Sequence, residues 1–142
     1  MKIGHLIIIM RHKLIIGFGS FDGFHEGHRY FINELKKRGE RVVIIVPPDE
    51  VIEHIKKRKP RYSLKERINF VQKEYPDIKI VVGDSTLGNW GILKKYNPDI
   101  VGIGYDQRDL KSALENSNIN PLPKIVIIDS FQPEKYKSSI VF

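Results

Sequence analysis

Five short apolar runs punctuate the chain, at 14–16, 42–46, 78–82, 100–103 and 125–128. Four are continuous and the one at 78–82 is broken only by Lys79, the pattern of strands buried on both faces rather than of alternation. Between them the apolar residues take helical spacing, over 27–38, 49–57, 64–75, 89–96 and 109–116. Leu64, Ile68, Val71 and Tyr75, for example, recur at steps of three and four and mark a core-facing stripe. Strands and helices that alternate in this way predict an α/β fold, a doubly wound parallel sheet of five strands. Ligands of such sheets bind beyond the carboxyl ends of the strands, where strand order reverses. Residues that follow an apolar run are therefore the ones to search for chemistry.

The 142 residues suit one domain, taken as 13–142, with 1–12 as an N-terminal tail and Met10 as an alternative start. No repeat, low-complexity tract or linker interrupts it, and the polar stretch 116–123 reads as a surface loop. The apolar run 6–10 is too short to span a membrane and lacks a small-residue cleavage site, so a cytoplasmic location is expected. There is no cysteine, which excludes disulfides, thiolate metal sites and cysteine nucleophiles. The net charge of +7 favours anionic partners without choosing among nucleotides, nucleic acid and acidic surfaces.

The first apolar run leads into Gly19-Ser20-Phe21-Asp22-Gly23-Phe24-His25-Glu26-Gly27-His28. A glycine-containing turn thus delivers two histidines to the first turn of a helix. Helix N-termini expose backbone N–H groups and the positive end of the macrodipole, so anions collect there, phosphates above all. Histidines three positions apart lie on one side of the turn, and Gly27 between them admits a phosphate close to the backbone. The plainer alternative is that both rings cap the helix. As a zinc site the pair lacks further ligands.

Other strand ends carry weaker signals. The run Lys56-Lys57-Arg58-Lys59-Pro60-Arg61 reads on composition as a solvated basic face, and Ser63 with Glu66 makes a capping box for the next helix. Gly102-Ile103-Gly104-Tyr105-Asp106-Gln107 follows the fourth run, where Asp106 suits either a helix cap or a ligand. Lys137-Ser138-Ser139-Ile140 resembles an ordinary polar tail.

Taken together, these segments resemble the cytidylyltransferase-like nucleotidyltransferases, in which a Gly-Thr-Phe-Asp turn precedes His-x-Gly-His. Gly19, Phe21, Asp22, His25, Gly27 and His28 match, with Ser20 in place of threonine. Lys59-Pro60, Glu66-Arg67, Gly104-Tyr105-Asp106-Gln107 and Lys137-Ser138-Ser139 follow in the family's order. The resemblance implies a Rossmann-like fold of the His-x-Gly-His type and direct in-line transfer of a nucleotidyl group, with release of pyrophosphate. It implies His25, His28 and Lys59 as catalytic residues. It places Gly19, Ser20, Phe21, Asp22, Glu26, Gly27, Asp106, Gln107, Lys137, Ser138 and Ser139 around the nucleotide, and adds Lys57 and Arg67 as phosphate contacts. It further implies ATP with Mg²⁺ or another divalent cation, and a homodimer without membrane or nucleic-acid partners. Similarity runs to the archaeal FAD synthases, which move AMP to FMN. The alternatives are glycerol-3-phosphate cytidylyltransferase and sugar-phosphate adenylyltransferases of lipopolysaccharide type. Another class altogether is a non-catalytic module that binds nucleotide or RNA.

Overall fold

In a computed structural model, residues 13–86 and 88–129 are described. The strands are β1 (Leu14–Phe18), β2 (Arg41–Val46), β3 (Lys79–Val82), β4 (Ile100–Gly104) and β5 (Lys124–Ile128). The helices are α1 (Glu26–Arg38), α2 (Asp49–Lys56), α3 (Leu64–Glu74), α4 (Gly91–Tyr96) and α5 (Arg108–Glu115). All strand pairings are parallel, and the order across the sheet is β3-β2-β1-β4-β5. The expected five-stranded, doubly wound sheet is therefore present. The order reverses at β1, which lies between β2 and β4, so the crevice falls just beyond Phe18.

The two faces of β1 feed separate cores. Ile15 packs with Ile32 and Leu35 of α1 and Val71 of α3, whereas Leu14 and Ile16 pack with Leu93 of α4 and Leu114 of α5. Side chains alternate across a strand, so a continuous apolar run supplies both layers. Close packing explains the small residues at the centre: a Cβ on Gly102 would stand 2.3 Å from a Leu35 methyl. Among the described residues no helix is long and apolar enough to cross a membrane.

Helix boundaries shift by one or two residues from the spacing-based expectation, at two places through left-handed residues. Lys57 takes φ 60° and ends α2 one residue early. Trp90 takes φ 60°, so the helix expected from 89 begins only at Gly91. A bulky residue in that conformation is uncommon and needs support from its surroundings. The tail 1–12, the candidate start at Met10 and the segment holding Lys137, Ser138 and Ser139 lie outside the described residues.

Candidate active site

The β1 strand ends against its neighbour, with the Gly19 amide donating to the Ile45 carbonyl at 3.2 Å. The turn that follows is built around the Phe21 ring. Phe21 is left-handed (φ 52°) and buried, and its ring lies so close to Gly19 that a Cβ there would come within 2.5 Å. Gly23, at φ 106°, completes the reversal. These steps aim the chain at the N-terminus of α1.

His25 is the N-cap of α1, and the two histidines form a reciprocal capping box. The Gly27 amide donates to His25 Nδ1 at 3.0 Å, and the His25 amide donates to His28 Nδ1 at 3.3 Å. Capping and ligand binding were alternatives on sequence alone; the geometry shows the capping, made through Nδ1 of both rings. A neutral imidazole that accepts at Nδ1 carries its proton on Nε2, so each cap fixes a tautomer with an Nε2–H donor. The ring centroids are 3.8 Å apart. His28 stacks on Phe24 at 5.7 Å and meets the edge of Phe21 at 5.3 Å.

Burial holds both rings neutral. The His28 pKa falls to about 3, chiefly by desolvation, with His25 and Arg29 adding repulsion. The His25 pKa is also lowered, by desolvation first and Arg29 second, while Glu26 opposes. At neutral pH the pair consists of two oriented, uncharged donors at the positive end of a helix, an arrangement suited to phosphate oxygens.

The cytidylyltransferase-like family model matches residues 16–142. The chain belongs to that family. An FAD synthase of Thermococcus sibiricus is 32% identical over 130 residues, covering 89% of this chain and 84% of its own. An FAD synthase of Methanolacinia petrolearia is 31% identical over 131 residues, covering 89% and 85%. The crystal structure of a lipopolysaccharide core biosynthesis protein from Thermoplasma volcanium aligns with a TM-score of 0.71 at 24% identity, over 85% of this chain and 99% of that one. That last likeness bears on the fold. This cytidylyltransferase-like domain is thus a nucleotidyltransferase.

Around its histidine turn, the other candidate residues take different positions. Asp22 is 1% exposed, and its carboxylate accepts from the Arg61 and Tyr62 amides at 2.8 and 2.7 Å. Its side chain therefore anchors the basic loop to the histidine turn. Through that anchor the exposed Lys59 is tied to the histidine turn, while Lys57 is the exposed C-cap of α2.

Arg67 is enclosed as well. It is 0% exposed and donates to the carbonyls of Tyr62, Ser20 and Pro47 and to the Asp49 carboxylate at 2.6 Å. A guanidinium enclosed in this way braces the loops. Glu26 turns to Arg29 at 2.8 Å. Gln107 spans the reversal point, donating to Phe18 O at 3.1 Å and accepting from the Gly104 amide at 2.8 Å. Asp106 is exposed beside it.

Sequence reasoning missed a cavity of about 340 Å³ at the carboxyl ends of β1, β2 and β3. Gly19 and Ser20 form one edge, and Phe18, Ile45, Val51, Ile55, Trp90 and Leu110 supply an apolar lining. The available signal was the single tryptophan of the chain, placed after the third apolar run.

Proposed function

We infer that this nucleotidyltransferase moves AMP from ATP to FMN, giving FAD and pyrophosphate. One observation carries the reaction type: two neutral imidazoles, locked by their own helix caps, present Nε2–H donors at the start of α1. The choice of FMN draws support from the relatives described as FAD synthases, at 31–32% identity over most of the chain.

In this reading a phosphate oxygen of FMN attacks the α-phosphorus of ATP. A new P–O bond forms, the bond to the β-phosphate bridging oxygen breaks, and pyrophosphate leaves with the electron pair. Transfer of this kind depends mainly on positioning and on stabilising charge on the phosphoryl oxygens. His25 and His28 donate to those oxygens and hold no proton for transfer, since both are already neutral. Lys59, carried on the loop tied down by Asp22, supplies the positive charge that neutral rings lack. Asp106, exposed after β4, is assigned to the nucleotide's ribose or base, and Ser20 to the phosphate side in the turn after β1.

Mg²⁺ enters as part of the Mg·ATP substrate. Among the described residues no group of three or more His, Asp or Glu side chains could hold a metal, and Mg²⁺ commonly binds through phosphates and water.

The test is pyrophosphate release with Mg²⁺ from ATP and from CTP, against FMN and glycerol 3-phosphate. Release with ATP and FMN, with FAD as product, is expected. Release only from CTP with a polyol phosphate would move the acceptor assignment to the cytidylyltransferases. Nucleotide binding without turnover of any acceptor would favour a non-catalytic module.

A further inference from the structure

The His28 ring ends a chain of contacts that reaches across to α3. The reciprocal cap holds this ring at Nδ1, through one hydrogen bond of 3.3 Å. A ring held at one atom can still tilt about that bond, and tilting swings Nε2–H away from a bound oxygen. Its plane needs a second contact. Phe24 lies nearly parallel to it, at 9° and 5.7 Å between centroids. Phe24 is itself only half-buried, and the Arg29 guanidinium lies over its ring, 4.9 Å from the centroid.

Arg29 is fixed in turn. All three of its guanidinium nitrogens donate: Nε and Nη2 to the Glu74 carboxylate at 2.8 and 3.0 Å, and Nη1 to Glu26 at 2.8 Å. A two-pronged arginine–carboxylate pair holds the guanidinium plane as well as its position. Both ends of this pair stand against their own helix. Arg29 is the fourth residue of α1, near its positive end, and Glu74 is the last residue of α3, at its negative end. Either charge alone is unfavourable where it stands. Helix formation therefore does not account for the pair, and local rules broken in this way gather at functional sites. What the pair achieves is a planar cation set firmly against Phe24.

We propose that Phe24 and Arg29, anchored by Glu74, clamp the plane of the His28 ring and so aim its Nε2–H at the phosphate. Both are positioning residues that act through His28. The inference rests on the reading of His28 as a donor in nucleotidyl transfer. It gives a purpose to an ion pair between α1 and α3 that the reaction otherwise leaves unused.

The clamp is tested in the full chain with Mg·ATP and FMN, by steady-state kinetics and by ¹⁵N NMR of the histidine rings at neutral pH. Phe24→Ala should lower kcat about tenfold and leave both KM values within about twofold, as for the loss of one aromatic contact. Phe24→Tyr keeps the ring face and should hold kcat within about twofold of the parent. Arg29→Met, nearer the surface, should lower kcat about threefold. In a His28→Asn background, Phe24→Ala should lower kcat by no more than about twofold, because the ring it positions is gone. The His28 nitrogens of the parent should show one tautomer with the proton on Nε2. In Phe24→Ala their two shifts should converge as tautomers mix.

A kcat unmoved by Phe24→Ala and Arg29→Met, with the His28 signals unshifted, would overturn the clamp and leave the reaction standing. An equal loss with and without His28 would also overturn it, by showing a general structural role. Converging His28 signals in Phe24→Ala, from a parent that forms no FAD, would uphold the hold on the ring and overturn the FMN reaction. Should Phe24→Ala fail to fold, Arg29→Met carries the same comparison in both backgrounds.

Discussion

Two helices of this protein begin with the same hydrogen-bond device, made from different residues. At α3, Ser63 Oγ accepts from the Glu66 amide at 3.3 Å and Glu66 Oε1 accepts from the Ser63 amide at 3.0 Å. At α1, His25 and His28 make the reciprocal pair through their Nδ1 atoms. The first cap is exposed and ends with the helix it starts. The second is built from side chains that have another nitrogen to offer, and His28 is only 8% exposed. A serine–glutamate box satisfies backbone donors. A histidine–histidine box does this and also fixes which ring atom carries the proton. The lesson is that a cap can serve as the orienting device of an active site when the capping group is bifunctional.

Separating the two duties at α1 should give the largest effect. In His28→Asn, a side-chain oxygen can still accept from the His25 amide, but the Nε2–H donor is lost. Turnover should fall about 10²- to 10³-fold, as when one donor to a developing oxyanion is removed. Stability should change by only about 1 kcal/mol. Steady-state kinetics beside thermal unfolding would check this, and a variant with full turnover would break the comparison.

Next is Arg67, one turn inside the ordinary cap. Arg67→Met keeps much of the length but leaves the Ser20, Pro47 and Tyr62 carbonyls without their shared donor. A cost of roughly 3 kcal/mol is expected from urea unfolding. The α3 helix would then matter more for its buried arginine than for its cap.

Acid should distinguish the two devices as well. The folded-state pKa of His28 is depressed to about 3 from 6.5, so below pH 6.5 the unfolded chain takes up a proton that the native ring refuses. The stability linked to this ring is complete above pH 6.5 and is lost as pH falls towards 3, at up to about 1.4 kcal/mol per pH unit. Unfolding free energies measured across that window should show a shallower slope for His28→Asn than for the parent.

The smallest effect belongs to the ordinary cap. Ser63→Ala should cost about 1 kcal/mol, a shift of roughly 2–4 °C in Tm, with kcat unchanged. A matching loss of activity would show that α3 helps to order the site through its first turn.

The sheet was legible in the sequence because every strand carries a short apolar run, although only β1, β2 and β4 are largely buried and the edge strands β3 and β5 are half-exposed. The histidine turn was legible because its residue types have few other uses in that order. The bracing by Asp22 and Arg67 was not legible for one physical reason: a charged residue near a phosphate motif reads as a ligand until its burial is known. Both are in fact nearly or wholly enclosed, and their partners are backbone groups distant in sequence. Trp90 was hidden differently. Helical spacing at 89–96 gives no sign that one residue is left-handed, and a cavity wall has no local pattern to show it.

The Arg67 brace has a kinetic meaning. It joins Ser20 of the turn after β1, Pro47 of the turn after β2 and Tyr62 of the basic loop, and all three depend on α3 being docked. Those loops cannot open one at a time without breaking the same enclosed guanidinium. The turn, the loop and the helix therefore form one cooperative unit of opening, with a shared protection against amide exchange. Loops at an active site are usually where a fold is loosest. Here a single arginine ties three of them to one helix, and exchange protection close to that of the core is expected for them.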